Sequence, residues 1–565
     1  MTLRVRWLGR VGYADALALQ RALAQTGRGD DWLLLLEHDP VYTMGLRAQL
    51  RHVLVDPADL GAELVKTDRG GDVTFHGPGQ LTGYPIVSVA MGHNAIPCHV
   101  HAVEQLVIDA LGDLGLAGAG RLTGLPGVWL DPNGARPRKI AAVGVRVTRG
   151  RSMHGFALNV DTDLERFDRI VPCGIADKGV TSLHAEGLAV SMREVVDAIA
   201  VRAARRWGGA AAGATAADRQ DAAWRVRPED LSAFTRGEGP GAPDGGGDVP
   251  VRLLGRMAEA GVDPGTGLPL AAPKPEWLRV KAAMGPSYRS LKRTMRSLDL
   301  VTVCEEAGCP NIFECWAEGT ATFMINGERC TRACGFCLVD TRKPEPVDPG
   351  EPERVAEAAR RLGLAHVVVT AVARDDLPDG GAAGFAATIA AIRRRCPGAA
   401  VEVLIPDCHG DPAALDEIFA ARPDVLSHNL ETVARLQRAV RPSASYARSL
   451  AVLARARAAG LTTKSGLIVG MGESESEVLG ALGDLAGVGV DIVTIGQYLR
   501  PTTHHLPIAR WWTPAEFSRM KAAGEALGIT HVEASPLTRS SYHARQAAMS
   551  AAGGGAGRAA RAVGS

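Results

Sequence analysis

The stretch that decides the fold of the C-terminal half is Cys330-Thr331-Arg332-Ala333-Cys334-Gly335-Phe336-Cys337. It is a C-x3-C-x2-C loop that reads as standing just before the first of six β-α repeats. Strand-like runs recur at His366–Ala371, Ala400–Ile405, Val425–Leu430, Thr462–Val469, Asp491–Gly496 and Thr530–Glu533. Helical patterns separate most of them, at Glu351–Leu362, Gly381–Arg394, Tyr446–Ala459 and Thr513–Leu527. Such repeats with right-handed crossovers predict a parallel sheet, open or curled into a partial barrel. In either form the chemistry belongs at the carboxyl ends of the strands. Three thiolates this close can hold three irons of a [4Fe–4S] cube and leave the fourth iron open. An open iron can chelate the amino and carboxylate groups of S-adenosylmethionine. Electron transfer into its sulfonium then releases a 5′-deoxyadenosyl radical that attacks unactivated C–H bonds. A zinc knuckle is the plainer alternative, but structural zinc usually draws on paired C-x2-C units and four closed ligands.

A second triad, Cys304-x4-Cys309-x5-Cys315, lies immediately upstream, so six of the ten cysteines fall in one window. Cys98, Cys173, Cys396 and Cys408 are scattered. A secreted disulfide framework would be a small domain with cysteines spread along it; a large chain that concentrates them points to metal binding in a reducing compartment. The 565 residues allow two to four domains at about 150 residues each. With 63 Lys+Arg against 62 Asp+Glu the net charge is +1, which suggests neither a nucleic-acid tract nor an acidic tail. No run approaches the length of a membrane span. The basic N-terminus resembles a signal peptide, but Asp15 and Arg21 interrupt any apolar core, so a cytoplasmic location is expected.

Residues 1–207 mix helical patterns (Ala14–Leu23, Val100–Leu114, Ser191–Trp207) with strand-like runs (Trp32–Glu37, Tyr84–Val89, Ala141–Val147, Phe156–Val160), as an α/β domain would. Residues 208–272 are rich in Gly, Ala, Pro and Asp, with weak periodicity; they read as a disordered linker with short ordered pieces near Trp224 and Leu253. Residues 273–548 form the second domain, and 549–565 read as a disordered tail.

Near the C-terminus stands Arg539-Ser540-Ser541-Tyr542. Together with the two cysteine triads, it makes the C-terminal half resemble lipoyl synthase, of the radical S-adenosylmethionine superfamily. Other stretches fit as well: Lys274–Lys281, Arg374–Gly381, Leu404–Asp407, His428–Thr432, Lys464–Leu467 and Gly496–Leu499. The resemblance covers about 274–546. It implies two [4Fe–4S] clusters. One is held by Cys330, Cys334 and Cys337 and exchangeable with S-adenosylmethionine; the other, auxiliary, is held by Cys304, Cys309, Cys315 and Ser541 and consumed as the sulfur source. Alone, Ser541 reads as a helix cap or surface turn, and Cys396 and Cys408 as small buried hydrophobes. Departures from the family pattern, at Ala333, Gly335, Leu338, Cys408 and Arg500, remove no ligand.

In the first half, Arg69-Gly70-Gly71-Asp72-Val73-Thr74-Phe75-His76-Gly77-Pro78-Gly79-Gln80 gathers four glycines around an Arg and a His, permitting close backbone approach to a ligand. With Lys139–Gly144, His154–Asn159, Pro172-Cys173-Gly174-Ile175 and Gly179–Leu183, it resembles lipoyl(octanoyl) transferase, of the biotin/lipoate ligase-like fold, over about 30–205. The resemblance implies Cys173 as acyl-thioester nucleophile and Lys139 as the cation that lowers its pKa and relays protons. It further implies substrate binding by Arg69 through His76, by Ala142, Val143 and Gly144, and by Gly155, Phe156 and Ala157. An ATP-using lipoate ligase shares the fold but needs no nucleophilic cysteine.

The combined reading is a fusion of two consecutive enzymes. One moves octanoate from acyl carrier protein to a lysine of a lipoyl domain; the other inserts sulfur at C6 and C8. Expected partners are octanoyl-acyl carrier protein, the lipoyl domains of 2-oxoacid dehydrogenases, the glycine cleavage H protein, and a ferredoxin- or flavodoxin-type electron donor, with no nucleic acid or membrane. A metal-binding scaffold or redox sensor without turnover, and a thiomethylating radical enzyme, are the rivals for the second half. The Arg-Ser-Ser-Tyr ending argues against the latter.

Overall fold

The computed structural model describes residues 2–26, 30–174, 178–208, 217–224, 251–279, 285–298, 300–302, 311–312 and 320–551. The chain divides into two units, Met1–Trp224 and Arg225–Ser565. No helix among the described residues is long and apolar enough to cross a membrane.

The first unit is an α/β domain around a nine-stranded mixed sheet. In chain order its strands are β1 (Leu3–Val11), β2 (Asp31–His38), then β3 (Val41–Met44), β4 (Glu63–Lys66) and β5 (Val73–His76) in a small second sheet. There follow β6 (Gln80–Ile86), β7 (Ala119–Leu122), β8 (Leu125–Leu130), β9 (Arg138–Thr148), β10 (Arg151–Asn159), β11 (Gly179–Val180) and β12 (Ala217–Asp221). The large sheet runs β12-β1-β2-β6-β10-β9-β8-β7, with β11 beside β9. Helices α1 (Tyr13–Gln25), α2 (Ala95–Asp113) and α3 (Met192–Trp207) match the three helical patterns of the sequence. The last starts on a capping box, Ser191 with Glu194, which satisfies two otherwise orphan N–H groups. Its apolar face, Val195, Val196, Ile199 and Ala203, joins Val103, Leu106 and Val107 of α2 over the sheet.

The linker region holds ordered pieces at the two places expected, near Trp224 and Leu253. Residues 217–221 add strand β12 in parallel to β1, and Trp224 stacks on Trp7 with ring centroids 4.6 Å apart. Arg4 and Arg6 fix this strand by pairing with Asp218. Composition hides its strand character because ADRQD is polar apart from Ala217; its hold comes from backbone pairing and two arginines more than two hundred residues away. In the second unit a helix over Val251–Glu259 buries Leu253 and Met257, and Leu268 bridges Ile508.

The second unit carries an eight-stranded sheet in sequential order: β13 (Val301–Thr302), β14 (Thr320–Ile325), β15 (His366–Ala371), β16 (Ala400–Leu404), β17 (Val425–Ser427), β18 (Thr462–Val469), β19 (Ile492–Gln497) and β20 (His531–Ala534). From β14 onward all neighbours are parallel. Each crossover steps the same way, so its helices cover one face and the other faces inward, as in a partial (β/α)6 barrel. One expectation is corrected. The cysteine loop does not precede the first β-α unit; it leaves the carboxyl end of β14, a strand the sequence reading passed over because the short run TATFMI abuts the cysteines. At the other end the helix over 544–551 carries Ala547 and Ala551 onto Val425 and Ile492, so Ala551 of the expected tail is packed while Met549 is exposed. Cys408 is buried in the core of this unit and Cys396 packs against it, and burial raises Cys408 to about 12.

The inner face holds a buried ion pair: Lys464 Nζ lies 2.7 Å from Glu402 Oε1, with His366 3.3 Å from the other oxygen, and neither partner of the pair is exposed above 2%. Burial alone would push Glu402 up, yet the Lys464 ammonium and His366 hold its carboxyl below the usual range. Removing one member strands a charge, at a cost of about 3–5 kcal/mol, whereas neutralising both is much milder. Lys464→Met should therefore lower the urea midpoint of the C-terminal unit more than the double change Lys464→Met with Glu402→Gln. Circular dichroism melts on the three proteins check this, and a double variant no better than the single one would show that pairing is not what the site contributes.

Candidate functional site

In the N-terminal unit a cleft opens over β9 and β10. It is lined by Arg69, Gly70, Gly71, Asp72, Thr74 and His76, by Ala142, Val143 and Gly144, by His154, Gly155, Phe156 and Ala157, and by Tyr13, Thr82 and Tyr84. Glycine makes it possible. Gly144 and Gly155 face each other across β9 and β10. A Cβ on Gly144 would lie 2.8 Å from the Gly70 carbonyl, and one on Gly155 2.1 Å from the Gly83 carbonyl. The Arg69–Asp72 loop can thus lie directly on the strand, where the Gly70 N–H donates to the Val145 carbonyl at 3.1 Å. Arg69 is pinned from below, its Nη2 donating to the Thr43 carbonyl at 2.6 Å.

The structure gathers twelve of the expected substrate residues on this cleft and leaves out two. Val73 and Phe75 alternate with Thr74 and His76 along β5 and so point the other way, into a small core with Tyr42, Met44, Phe167 and Ile170. The sequence reading left Tyr13, Thr82, Tyr84 and His154 unassigned. His154 opens the His154–Asn159 motif, but a residue reached by fold-back from another strand carries no signal of its own. Around the cleft the imidazoles are kept neutral: burial lowers His38 to about 4, and burial with Arg69 and Arg146 takes His154 to about 3. His76 is held well below its usual value by burial and by His38. His38 bonds the Tyr84 hydroxyl at 2.7 Å. His154 Nε2 meets Asp68 at 2.7 Å, while its buried Nδ1 has no partner among the described residues.

Cys173 lies in a short 3-10 turn, Pro172–Gly174. This turn sits against the cleft rim, since a Cβ on Gly174 would be 2.7 Å from Asp72 Oδ2. Lys139 is on β9, buried, with its ammonium 4.7 Å from the centroid of the Trp129 ring.

In the second unit the loop of Cys330, Cys334 and Cys337 is held at the carboxyl ends of the strands. Its backbone is tied to three places: Cys330 N–H to the Asp340 carbonyl (2.8 Å), Thr331 N–H to Ala373 (3.0 Å) and Gly335 N–H to Val440 (2.8 Å). Arg332 is buried and forks onto Asp375 at 2.7 and 2.8 Å and onto Asp407 at 2.6 Å. The Arg332 guanidinium outweighs burial and holds the Asp407 carboxyl far below the usual range. Both the Arg332 and Ala373 N–H groups donate to Cys330 Sγ, at 3.4 and 3.3 Å. Burial pushes Cys334 up to about 11 and Cys337 higher. Thiols in this setting become thiolates only against a cation, and N–H groups aimed at sulfur suit a cluster ligand. The donor set therefore fits an iron–sulfur cube.

Around this loop stand Glu431, half-buried and pushed up by desolvation against the pull of Arg441, and Asn429, which donates to Glu431 Oε1 at 3.0 Å. Neither Arg332 nor Glu431 nor Arg441 was singled out from sequence; charged residues at the ends of apolar strands were the available signal. Cys304, Cys309 and Cys315 lie outside the described residues. Asn311, between the second and third of them, is described, and it donates to the Leu537 carbonyl at 2.6 Å. That ties Asn311 itself to the loop carrying Ser541, which is half-buried in a turn over 540–543 beside Tyr542, whose ring stacks on His543 at 3.8 Å.

Three family models match: the lipoyl protein ligase A/B catalytic domain over residues 12–203, the radical S-adenosylmethionine superfamily over 324–485, and the N-terminal domain of lipoyl synthase over 271–309. Fold and sites thus define a two-part enzyme, a lipoyl ligase or transferase domain joined to a radical S-adenosylmethionine domain. The lipoyl synthase of Rubrobacter xylanophilus is 58% identical over 275 residues, 48% of this chain and 86% of that protein. That of Mycobacterium avium is 54% identical over 283 residues, 49% of this chain and 92% of its own length. Through its C-terminal half, the chain belongs to the lipoyl synthase family. An archaeal bipartite lipoate protein ligase from Thermoplasma acidophilum, solved with attention to its E2 lipoyl domain, covers 36% of this chain and 84% of its own, at 22% identity and TM-score 0.32. By the three family models and the lipoyl synthase relatives, the chain is an enzyme of lipoate biosynthesis, pairing a ligase- or transferase-type domain with radical sulfur insertion. It uses S-adenosylmethionine and two [4Fe–4S] clusters, and the cysteines at 330–337 fit the motif of one.

The family resemblance assigns the two clusters to separate triads, so they should be separable by mutation. Replacing Cys330, Cys334 and Cys337 with Ala should roughly halve the bound iron and stop cleavage of S-adenosylmethionine. Replacing Cys304, Cys309 and Cys315 should also roughly halve the iron but leave cleavage to 5′-deoxyadenosine running without sulfur transfer, and Ser541→Ala should act in the same direction, less severely. Iron, sulfide and 5′-deoxyadenosine assays on each variant decide the matter. Sulfur insertion that survives loss of the upstream triad would overturn the assignment.

Proposed function

We propose that the chain performs two consecutive steps of lipoyl assembly. The first half takes octanoyl from acyl carrier protein as a thioester on Cys173 and passes it to a lysine of a lipoyl domain. The second half inserts sulfur at C6 and C8 of that octanoyl chain, drawing on the auxiliary cluster. The observation that carries the reading is the conjunction, in one chain, of lipoyl synthase with a glycine-lined cleft whose rim meets the Pro172–Gly174 turn. Thioester exchange between thiolates is nearly balanced in energy, and amide formation from the thioester is downhill, so no ATP is required. The neutral, buried imidazoles and Phe156 around the cleft suit an acyl chain better than a nucleotide. Lys139 supplies the fixed positive charge that favours a thiolate. When bound at the open iron, S-adenosylmethionine supplies the radical that activates C–H bonds. Lipoyl domains of 2-oxoacid dehydrogenases and the glycine cleavage H protein are the proposed acceptors, and a ferredoxin or flavodoxin the proposed electron donor.

The test is a mass measurement. Anaerobically reconstituted protein, octanoyl-carrier protein, apo lipoyl domain, S-adenosylmethionine and reductant should convert the acceptor to its lipoyl form without ATP. Cys173→Ser should lower octanoyl transfer by more than about a hundredfold while sulfur insertion into a pre-octanoylated domain continues. Retained transfer by the serine variant, or a strict need for ATP and free octanoate, would favour the ligase chemistry instead.

Loss of the ammonium should raise the pKa of the Cys173 thiol, because a cation favours the thiolate. Lys139→Ala should move the midpoint of iodoacetamide labelling at Cys173 to higher pH. An unchanged labelling profile would break the Lys139–Cys173 pairing.

A further inference from the structure

The three most exposed leucines among the described residues stand in one short stretch: Leu46 at 73%, Leu50 at 65% and Leu54 at 57%. Their exposure is not slack in the chain. The Leu46 N–H donates to the Arg69 carbonyl and the Arg47 N–H to the Gly71 carbonyl, both at 3.0 Å, and the Leu54 N–H donates to the Arg169 carbonyl at 2.9 Å. Between these ties His52 Nδ1 lies 2.8 Å from Asp72 Oδ2. Ala48 and Val53 pack against the small core around Phe75. The stretch is thus held in place with its smaller apolar side chains inside and its larger ones in water. That inverts the order that burial favours, and clustered apolar exposure marks a surface made to be covered.

The charge around these leucines has one sign. From Gly45 to Val55 the sequence holds Arg47, Arg51 and His52 and no acid. Arg47 and Arg51 are exposed, and neither guanidinium makes an ion pair or hydrogen bond among the described residues. Arg138, Arg146 and Arg202 of the same unit, by contrast, each reach a carboxylate. Unpaired guanidiniums interleaved with leucines suit a partner that presents carboxylates around an apolar seam. Position narrows the partner further. The Arg69–Gly71 loop bonds β9 through Gly70 and this stretch through Arg69 and Gly71. The stretch therefore lies across that loop from the strand, and none of its three leucines lines the cleft. An acceptor lysine is short, so its domain has to sit over the cleft. An acyl group held as a thioester on a long prosthetic arm can enter the cleft from a body docked beside it.

We infer that Leu46, Leu50 and Leu54, with Arg47 and Arg51, are the docking face for the acidic acyl carrier protein that delivers octanoate; this rests on the reading of the N-terminal half as a transferase fed by that carrier. The leucines bury against an apolar seam of the carrier, and the two guanidiniums meet carboxylates beside it. The contact forms and breaks in every cycle. The arginines act mainly on encounter and its salt dependence, the leucines on how long the carrier stays. The face takes no part in the chemistry of acyl transfer.

The experiment compares two octanoyl donors on the full chain, octanoyl-carrier protein and the small thioester octanoyl-pantetheine, each with the same apo lipoyl domain. In wild type the KM for octanoyl-carrier protein should rise with salt, and the KM for octanoyl-pantetheine should not. Arg47→Glu with Arg51→Glu should raise the KM for octanoyl-carrier protein by about tenfold or more and flatten its salt dependence. It should leave kcat and the KM for octanoyl-pantetheine unchanged, which is also the control for folding. Leu46→Ser with Leu50→Ser should raise the same KM and keep the salt dependence. An equal loss with both donors, or an unchanged KM for octanoyl-carrier protein, overturns the proposal. So does a raised KM for the lipoyl domain, which gives the face to the acceptor, or a wild-type dimer that the leucine variant dissociates, which gives it to a second copy. Fluorescence anisotropy of labelled octanoyl-carrier protein separates this inference from the reading beneath it. A carrier that binds wild type and not the arginine variant, while neither donor octanoylates the acceptor, keeps the docking face and removes the transferase reading.

Discussion

Arg332 is the buried cation on which the radical half depends. A loop that offers three thiols has little regular hydrogen bonding of its own, so it must be held from outside. Arg332 does this from between the first two ligands, forking onto Asp375 after β15 and reaching Asp407 after β16. A buried guanidinium is tolerable only when fully paired. The pairing therefore fixes more than a charge: it sets where Cys330 and Cys334 stand relative to the strand ends. Two backbone N–H groups aimed at Cys330 Sγ finish the arrangement.

The N-terminal half solves a different problem with the same economy. Its cleft is made where backbone comes close to backbone, at Gly70, Gly144, Gly155 and Gly83, and a single methyl at Gly155 would collide with a carbonyl. Period-two alternation on β5 then divides one continuous motif into cleft residues and core residues. Thr74 and His76 face the ligand side; Val73 and Phe75 anchor the small second sheet. The burial that steadies this sheet is also what keeps His76 neutral.

Both sites were largely legible as motifs, and the reasons differ. Ligand spacing in the cysteine loop is local, so Cys330, Cys334 and Cys337 are readable in a line of text. The β-α rhythm is equally local, and it led to the parallel sheet. What escaped was whatever lacked local contrast. Strand β14 was lost beside the cysteines. Strand β12 reads only as an ordered piece near Trp224, its strand character hidden in a stretch whose composition resembles linker, although Asp218 and Trp224 bind it to Arg4, Arg6 and Trp7.

Sequence by itself determined the number and spacing of the thiols, the alternation of strands and helices, the glycine positions and the two family resemblances. Periodicity and spacing are properties of neighbours along the chain. Only the tertiary structure decided which charges meet. His52 and Asp72 are 20 residues apart, Lys464 and Glu402 are 62, Arg332 and Asp407 are 75, and Arg6 and Asp218 are 212. Each pair is brought together by packing of apolar faces that contain neither partner. A pattern of hydrophobic residues specifies which face is buried, but it does not say which polar groups are carried into contact when that face closes.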